Sequence, residues 1–258
     1  MVEPVTTPRR RKLLRKNSWA DEAAIPKSPF SSISSGGSRN VQTCKEYLAK
    51  CAAPKFEVGE CLGRGSFGVV FACTRPGQMQ RVAIKVDQEA ALRGAVAAEA
   101  AMCAEMAILR KLKHPHIIRT IDVVLDGVAP MALVFPLADK NLHSFSLDED
   151  LRSHPSVCRQ VCVQIVNALA YLHDHGTAHM DLKPYNIVVW RQSTLTAKII
   201  DFGAACTSPT PGGKVKTTLP YAPPEVLFRA DAITAAADMW GPAICYGQGW
   251  TSTSWKGP

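Results

Sequence analysis

No stretch of this chain stays apolar long enough to cross a bilayer. A spanning helix needs about 20 apolar residues in a row, and the most apolar run near the C-terminus is interrupted by Asp238 and Pro242. Nor does the N-terminus read as a secretory signal, since Glu3 and Pro4 precede a cationic cluster and no apolar run follows it. The nine cysteines are odd in number and scattered, with no Cys-x-x-Cys pair, which argues against a disulfide framework or a zinc ribbon. Cys158 and Cys162 stand one helical turn apart, but two ligands are too few for zinc, so core packing is expected of them. Reduced thiols fit the cytoplasm or nucleus, and no membrane partner is expected. No internal repeat is present.

Acidic residues are scarce at one end only. Residues 1–50 carry ten Lys/Arg and four Asp/Glu, a local charge of +6, whereas the other 208 residues carry twenty and eighteen. The overall charge of +8 therefore describes an arm rather than a basic domain, and no nucleic-acid partner is expected of the folded part. Within the arm, Pro8-Arg9-Arg10-Arg11-Lys12-Leu13-Leu14-Arg15-Lys16 leads into Asn17-Ser18-Trp19. Three readings compete: a solvated disordered arm over residues 1–50, a nuclear-import signal, and a basophilic phosphorylation site at Ser18. The first is compatible with the other two. Residues 28–40 read as linker. Of the 258 residues 47% are hydrophobic, enough for a sizeable core.

The densest chemistry lies in His179-Met180-Asp181-Leu182-Lys183-Pro184-Tyr185-Asn186, with Asp201-Phe202-Gly203 beginning 20 residues after Asp181. That interval suits a short hairpin returning both segments to one cleft. Carboxylate and amide oxygens are the hard ligands Mg²⁺ prefers, and Mg²⁺ usually arrives with phosphate. Upstream, Gly63-Arg64-Gly65-Ser66-Phe67-Gly68 is a glycine-rich turn followed by Val69-Val70-Phe71-Ala72-Cys73, which reads as a strand. The turn is thus a hairpin lid rather than a dinucleotide-binding crossover, in which a helix would follow. Glycines let backbone N–H groups approach phosphate oxygens closely. Val82-Ala83-Ile84-Lys85 is an alternating strand ending in a lysine 17 residues after Gly68. A helical segment from Ala95 to Leu112 offers Glu99 and Glu105.

These segments, in this order, resemble the signature set of eukaryotic protein kinases of the serine/threonine type. The resemblance covers residues 56 to about 246 and includes Thr218-Leu219-Pro220-Tyr221-Ala222-Pro223-Pro224-Glu225, 24 residues from Asp201 to Glu225, and Asp238-Met239-Trp240-Gly241. It implies an α+β, two-lobed fold, with a β-rich N-lobe over 56–137 and an α-rich partial C-lobe over 138–246. Asp181 would orient the substrate hydroxyl and take its proton, while Lys183 would neutralise the transferring phosphate. Thr218 would hold these two together. Lys85 would grip the α- and β-phosphates of ATP, braced by Glu105 in preference to Glu99. Asn186 and Asp201 would hold Mg²⁺. The nucleotide would be held by Leu62, Gly63, Arg64, Gly65, Ser66, Phe67, Gly68, Val69, Val70, Ala83, Lys85, Phe135, Leu137 and Val188, with Leu137 offering backbone groups to the adenine edge. Asp238 would brace the catalytic-loop backbone.

Two departures matter. Met180 stands where most members of the family carry an arginine that would receive an activation-segment phosphate. Activation is therefore expected not to depend on phosphorylation of Ser208, Thr210 or Thr217. The resemblance also stops near Tyr246, so the C-lobe is expected to lack its last helices, with residues 247–258 an irregular tail and Glu225 without its usual arginine partner. The function implied is ATP-dependent phosphorylation of a protein substrate at serine or threonine. The alternative is a catalytically weak or inactive nucleotide-binding scaffold. Oligomeric state is not written in the sequence.

Overall fold

Residues 36–65, 68–93, 95–149, 154–207, 217–228 and 233–247 are described by a computed structural model. The N-lobe is built on five antiparallel strands: β1 (Glu57–Gly65), β2 (Gly68–Thr74), β3 (Arg81–Val86), β4 (Asp122–Asp126) and β5 (Ala129–Pro136), in spatial order β1-β2-β3-β5-β4. Alternation along each strand gives the sheet two faces. Val69, Phe71 and Cys73 of β2, Val82, Ile84 and Val86 of β3 and Val134 of β5 are buried on one face. On the other, Val70 stands opposite Lys85, and Ala83 opposite Phe135.

The first face is covered by α1 (Gly36–Ala52). This corrects the expected boundary, which places residues 36–50 in the disordered arm and residues 28–40 in the linker. Cys44, Leu48 and Ala52 recur at helical spacing and are buried against the sheet, with Val41 and Cys51 packed beside them. The Tyr47 hydroxyl donates to the Asp126 carboxylate at the β4–β5 turn. The folded unit thus begins some twenty residues before the expected start at residue 56. The cationic run at residues 8–16 and Ser18 lie outside the described residues, as does the expected tail from 248 onward.

Asp87 ends β3 and starts α2 (Gln88–Arg93): its Oδ1 accepts the N–H groups of Glu89 and Ala90 at 2.7 and 3.0 Å, an N-cap. α3 (Ala95–Lys111) follows and packs on the second face of the sheet, burying Met102 and Leu109 with Leu133 and Phe135.

The C-lobe comprises α4 (Leu142–Glu149), α5 (Pro155–Asp174), α6 (Pro224–Leu227), α7 (Trp240–Gly247) and a small sheet of β6 (Lys140–Asn141), β7 (Ile187–Arg191) and β8 (Leu195–Ile199). Along α5, Cys158, Val161, Ile165, Ala168, Leu169 and Leu172 form the buried stripe that a 3.6-residue period predicts. They pack against Leu142, Phe145, Ile187, Val189, Ala197 and Ile199, so Cys158 is a core residue as expected. The same cluster includes Met102, Leu109 and Phe135, so one apolar core runs behind the cleft between the lobes. No helix among the described residues is long and apolar enough to cross a membrane.

Candidate active site

β3 carries Lys85 into the interior, where an ammonium is tolerated only with partners. Its Nζ lies 2.7 Å from both carboxylate oxygens of Glu105 on α3 and 2.7 Å from Asp201 Oδ1. Burial opposes the lysine's charge, but the carboxylates of Asp201 and Glu105 outweigh it and hold the pKa above its ordinary value. For Asp201, burial alone would raise the carboxyl, and the Lys85 ammonium reverses this, so the group lies below the usual carboxylate range. Glu105 is buried at 5% exposure, and of the two glutamates considered it is the one seen paired with Lys85. The side chain of Glu99 lies outside the described set.

The catalytic loop is assembled around Asp181, itself buried. Lys183 Nζ donates to Asp181 Oδ2 at 2.6 Å and to Thr218 Oγ1 at 2.6 Å. Thr218 donates from both its N–H and its hydroxyl to Asp181 Oδ1, at 2.8 and 2.7 Å. Asn186 uses its amide nitrogen to bond the Asp181 carbonyl at 2.8 Å and Asp181 Oδ2 at 3.2 Å. Its amide oxygen and the Asp201 carboxylate are hard oxygen donors of the kind Mg²⁺ would take. No cluster of three or more His, Cys, Asp or Glu able to hold a metal is found among the described residues. Two protein oxygens fit Mg²⁺ nonetheless, because it is usually bound through one or two carboxylates plus substrate phosphates.

Among the described residues, two that are not glycine hold left-handed backbone: Met180 with φ 66° and Asp201 with φ 63°. Such strain persists only where the surroundings enforce it. At Met180 the enforcement is visible. Asp238 is buried, and its Oδ1 accepts the Met180 N–H at 2.7 Å while Oδ2 accepts the His179 N–H at 2.7 Å. The aspartate braces the loop as expected. A third contact, from His173 Nε2 at 3.0 Å, was not anticipated. α7 approaches so closely that a Cβ on Gly241 would stand 2.3 Å from the Leu182 carbonyl oxygen. His179 links the two halves of the site: Nε2 contacts the Ile200 carbonyl at 2.9 Å, and its ring meets Phe202 edge-on.

The Met180 side chain is buried in an apolar cluster with Ala178, Ile233 and Ala237, against which Ala204 and Cys206 pack. The start of the activation segment is thus held by hydrophobic contact and by the Ala178–Cys206 bridge, bonded at 2.9 Å in both directions. Ser208 and Thr210 lie outside the described residues. Glu225 is half-buried and has no ion-pair partner among the described residues.

Of the residues expected to line the nucleotide pocket, Leu62, Gly63, Arg64 and Gly65 end β1, and a Cβ at Gly63 or Gly65 would meet nothing within 4 Å. That open space suits close approach of a ligand to the backbone. Gly68 is different: its φ is +150° and a Cβ would stand 2.4 Å from the Val86 carbonyl oxygen, so only glycine fits. Ser66 and Phe67 are outside the described residues. Val70 and Ala83 share the Lys85 face, and Phe135 and Val188 stand at the lobe junction. Val69 does not belong to the pocket, since strand alternation turns its side chain into the core beneath α1. The Leu137 carbonyl accepts the indole N–H of Trp190 at 2.9 Å, which occupies one of its two lone pairs.

A buried lysine–glutamate pair and an aspartate-centred loop on opposite sides of one cleft define a phosphotransferase-type site. A family model of the protein kinase domain matches residues 56–248, and the chain belongs to that family. Among curated relatives, it is 36% identical over 197 residues to CBL-interacting protein kinase 4 of Oryza sativa subsp. japonica, covering 74% of this chain and 43% of that protein. It is 30% identical to cyclin-dependent kinase D-1 of Arabidopsis thaliana, covering 77% and 50%, and 29% identical to mitogen-activated protein kinase sma-5 of Caenorhabditis elegans, covering 82% and 44%. The chain therefore spans about half the length of these relatives.

Proposed function

We propose that this chain transfers the γ-phosphoryl group of ATP to serine or threonine hydroxyls of a protein substrate. The observation that carries the reading is the Asp181 carboxylate, held by Lys183, Asn186 and Thr218 beside a Lys85–Glu105–Asp201 network. Mg-ATP, when bound, supplies the activated phosphoryl group, and phosphoryl transfer asks the protein mainly for placement and charge stabilisation. Asp181 orients the acceptor hydroxyl and receives its proton as the hydroxyl oxygen bonds the γ-phosphorus and ADP departs. Lys183, anchored on both Asp181 and Thr218, offsets the negative charge of the moving group. Lys85 aligns the nucleotide phosphates, with Glu105 keeping its ammonium in place. Asn186 and Asp201 would hold Mg²⁺, whose charge would offset that of the phosphates. The serine/threonine preference is supported by Lys183 in Asp-Leu-Lys-Pro and by its bond to Thr218.

A second reading, a nucleotide-binding scaffold with weak or no transfer, is favoured by the surface below the cleft. Leu227, Phe228, Met239 and Trp240 are exposed there, and Glu225 lacks an ion pair among the described residues. These features touch substrate docking rather than nucleotide binding. Phosphoamino-acid analysis of a mixed-hydroxyl peptide pool incubated with Mg-ATP separates the readings. Phosphoserine and phosphothreonine are expected. Phosphotyrosine alone would refute the acceptor class, and nucleotide binding without any phosphoamino acid would establish the scaffold.

A further inference from the structure

The catalytic loop turns one side chain away from the reacting groups. Pro184 and Asn186 are buried, and Asn186 points inward to Asp181. Tyr185 between them is half-buried instead, and its ring stacks on the His143 imidazole of α4, with centroids 4.2 Å apart and planes at 27°. His143 is placed by its own helix. Asn141 Oδ1 accepts the Ser144 N–H at 2.8 Å to start α4, and Leu142 and Phe145 lock into the main core, which leaves His143 half-buried at the rim. Burial pushes the imidazole below the ordinary histidine value and the Tyr185 hydroxyl above the ordinary tyrosine value, so both rings are uncharged at neutral pH. On the same helix, the Asp148 carboxylate is already paired with Lys140.

We infer that Tyr185 and His143 form a subsite for an uncharged aromatic or large aliphatic side chain that flanks the acceptor serine or threonine. This rests on the phosphoryl-transfer reading above and narrows its substrate class. With the nucleotide phosphates on the side of Lys85 and Asp201, an acceptor hydroxyl reaches Asp181 from the other side, where the catalytic loop meets Thr218. Tyr185 stands next in sequence to Asn186, which bonds Asp181. A bound extended chain, rising about 3.3 Å per residue, therefore passes the two rings within about three residues of its acceptor. An apolar side chain gains buried area and ring contact there. Neither ring carries a charge to pair with a basic or an acidic residue.

The test is a positional scan with the whole chain and Mg-ATP, using peptides that carry one serine or threonine acceptor and are randomised at one flanking position at a time. One position within about three residues of the acceptor is expected to select aromatic or large aliphatic residues over alanine by about three- to tenfold in kcat/KM, the size of one aromatic contact. Tyr185→Ala should bring that ratio close to one, and Tyr185→Phe, which keeps the ring, should preserve it. His143→Ala, acting from α4, should narrow the ratio too, and it decides the matter if Tyr185→Ala does not fold. A merely structural role would lower transfer to all peptides together, so an unchanged ratio in the alanine variants overturns the assignment. Selection of charged residues near the acceptor, or of none, also overturns it. A wild-type chain that binds Mg-ATP and phosphorylates no peptide overturns the transfer reading itself, and this inference with it.

Discussion

Leu48→Ala tests whether α1 is part of the catalytic unit or merely a neighbour of it. Leu48 is fully buried, pressed between Cys44 and Ala52 of its own helix and the Val69–Phe71 and Val82–Val86 face of the sheet. Removing a buried leucine side chain costs its transfer free energy plus a cavity term, about 2–5 kcal/mol in a core that cannot collapse. The sheet floor is rigid, since β2 and β3 are paired along six positions and β3 pairs β5 along five. The upper half of that range is therefore expected. For a unit of this size, each kcal/mol moves the thermal midpoint by about 2–4 °C. Lys50→Ala on the exposed side of the same helix should change stability by less than about 0.5 kcal/mol. Denaturant unfolding of the two variants and wild type measures both numbers. A Leu48→Ala loss no larger than that of Lys50→Ala would show that α1 does not seal the sheet.

Three further outcomes follow from the site. Asp201→Asn should flatten the acid limb of stability. A lowered folded pKa contributes fully above the ordinary aspartate value, about pH 4, and fades as pH falls through the folded value, so unfolding profiles of mutant and wild type that stay parallel below that point would contradict the Lys85 pairing. Gly241→Ala should cost about 1–3 kcal/mol by overpacking against the Leu182 carbonyl and reduce transfer, whereas an unperturbed melting midpoint would refute the close approach of α7. Alanine or phosphomimetic substitutions at Ser208, Thr210 and Thr217 should leave phosphate transfer unchanged, because Met180 meets the activation segment with methyl and thioether groups and no charge; a large change in the transfer rate would contradict this.

The groups that perform chemistry were the most legible part of the chain, because they need particular side chains at particular intervals. Asp181, Lys183, Asn186 and Asp201 converge as their spacing implied, and Lys85 finds Glu105 on α3, packed against its own face of the sheet. Contacts made by long-range side chains were not legible. Trp190 reaches a carbonyl 53 residues away, and His173 reaches Asp238 over 65 residues; no local pattern encodes either pairing. Helix α1 was hidden by composition. Its serine and glycine start and its lysines suggested linker and arm, while Val41, Cys44, Leu48 and Ala52 already carried a helical stripe. Val69 was misplaced for a simpler reason. Alternation puts it and Val70 on opposite faces, and only Val70 shares the face of Lys85.

The central claim is that Asp181, positioned by Lys183, Asn186 and Thr218, serves transfer of a phosphoryl group to a hydroxyl. The most direct measurement is incorporation of labelled γ-phosphate from Mg-ATP into a serine/threonine peptide library by wild type and by Asp181→Asn, each shown by melting to be folded. Transfer by wild type that is lost in Asp181→Asn, with Mg-ATP binding retained in both, is the predicted result. Equal transfer by the two proteins would contradict the account.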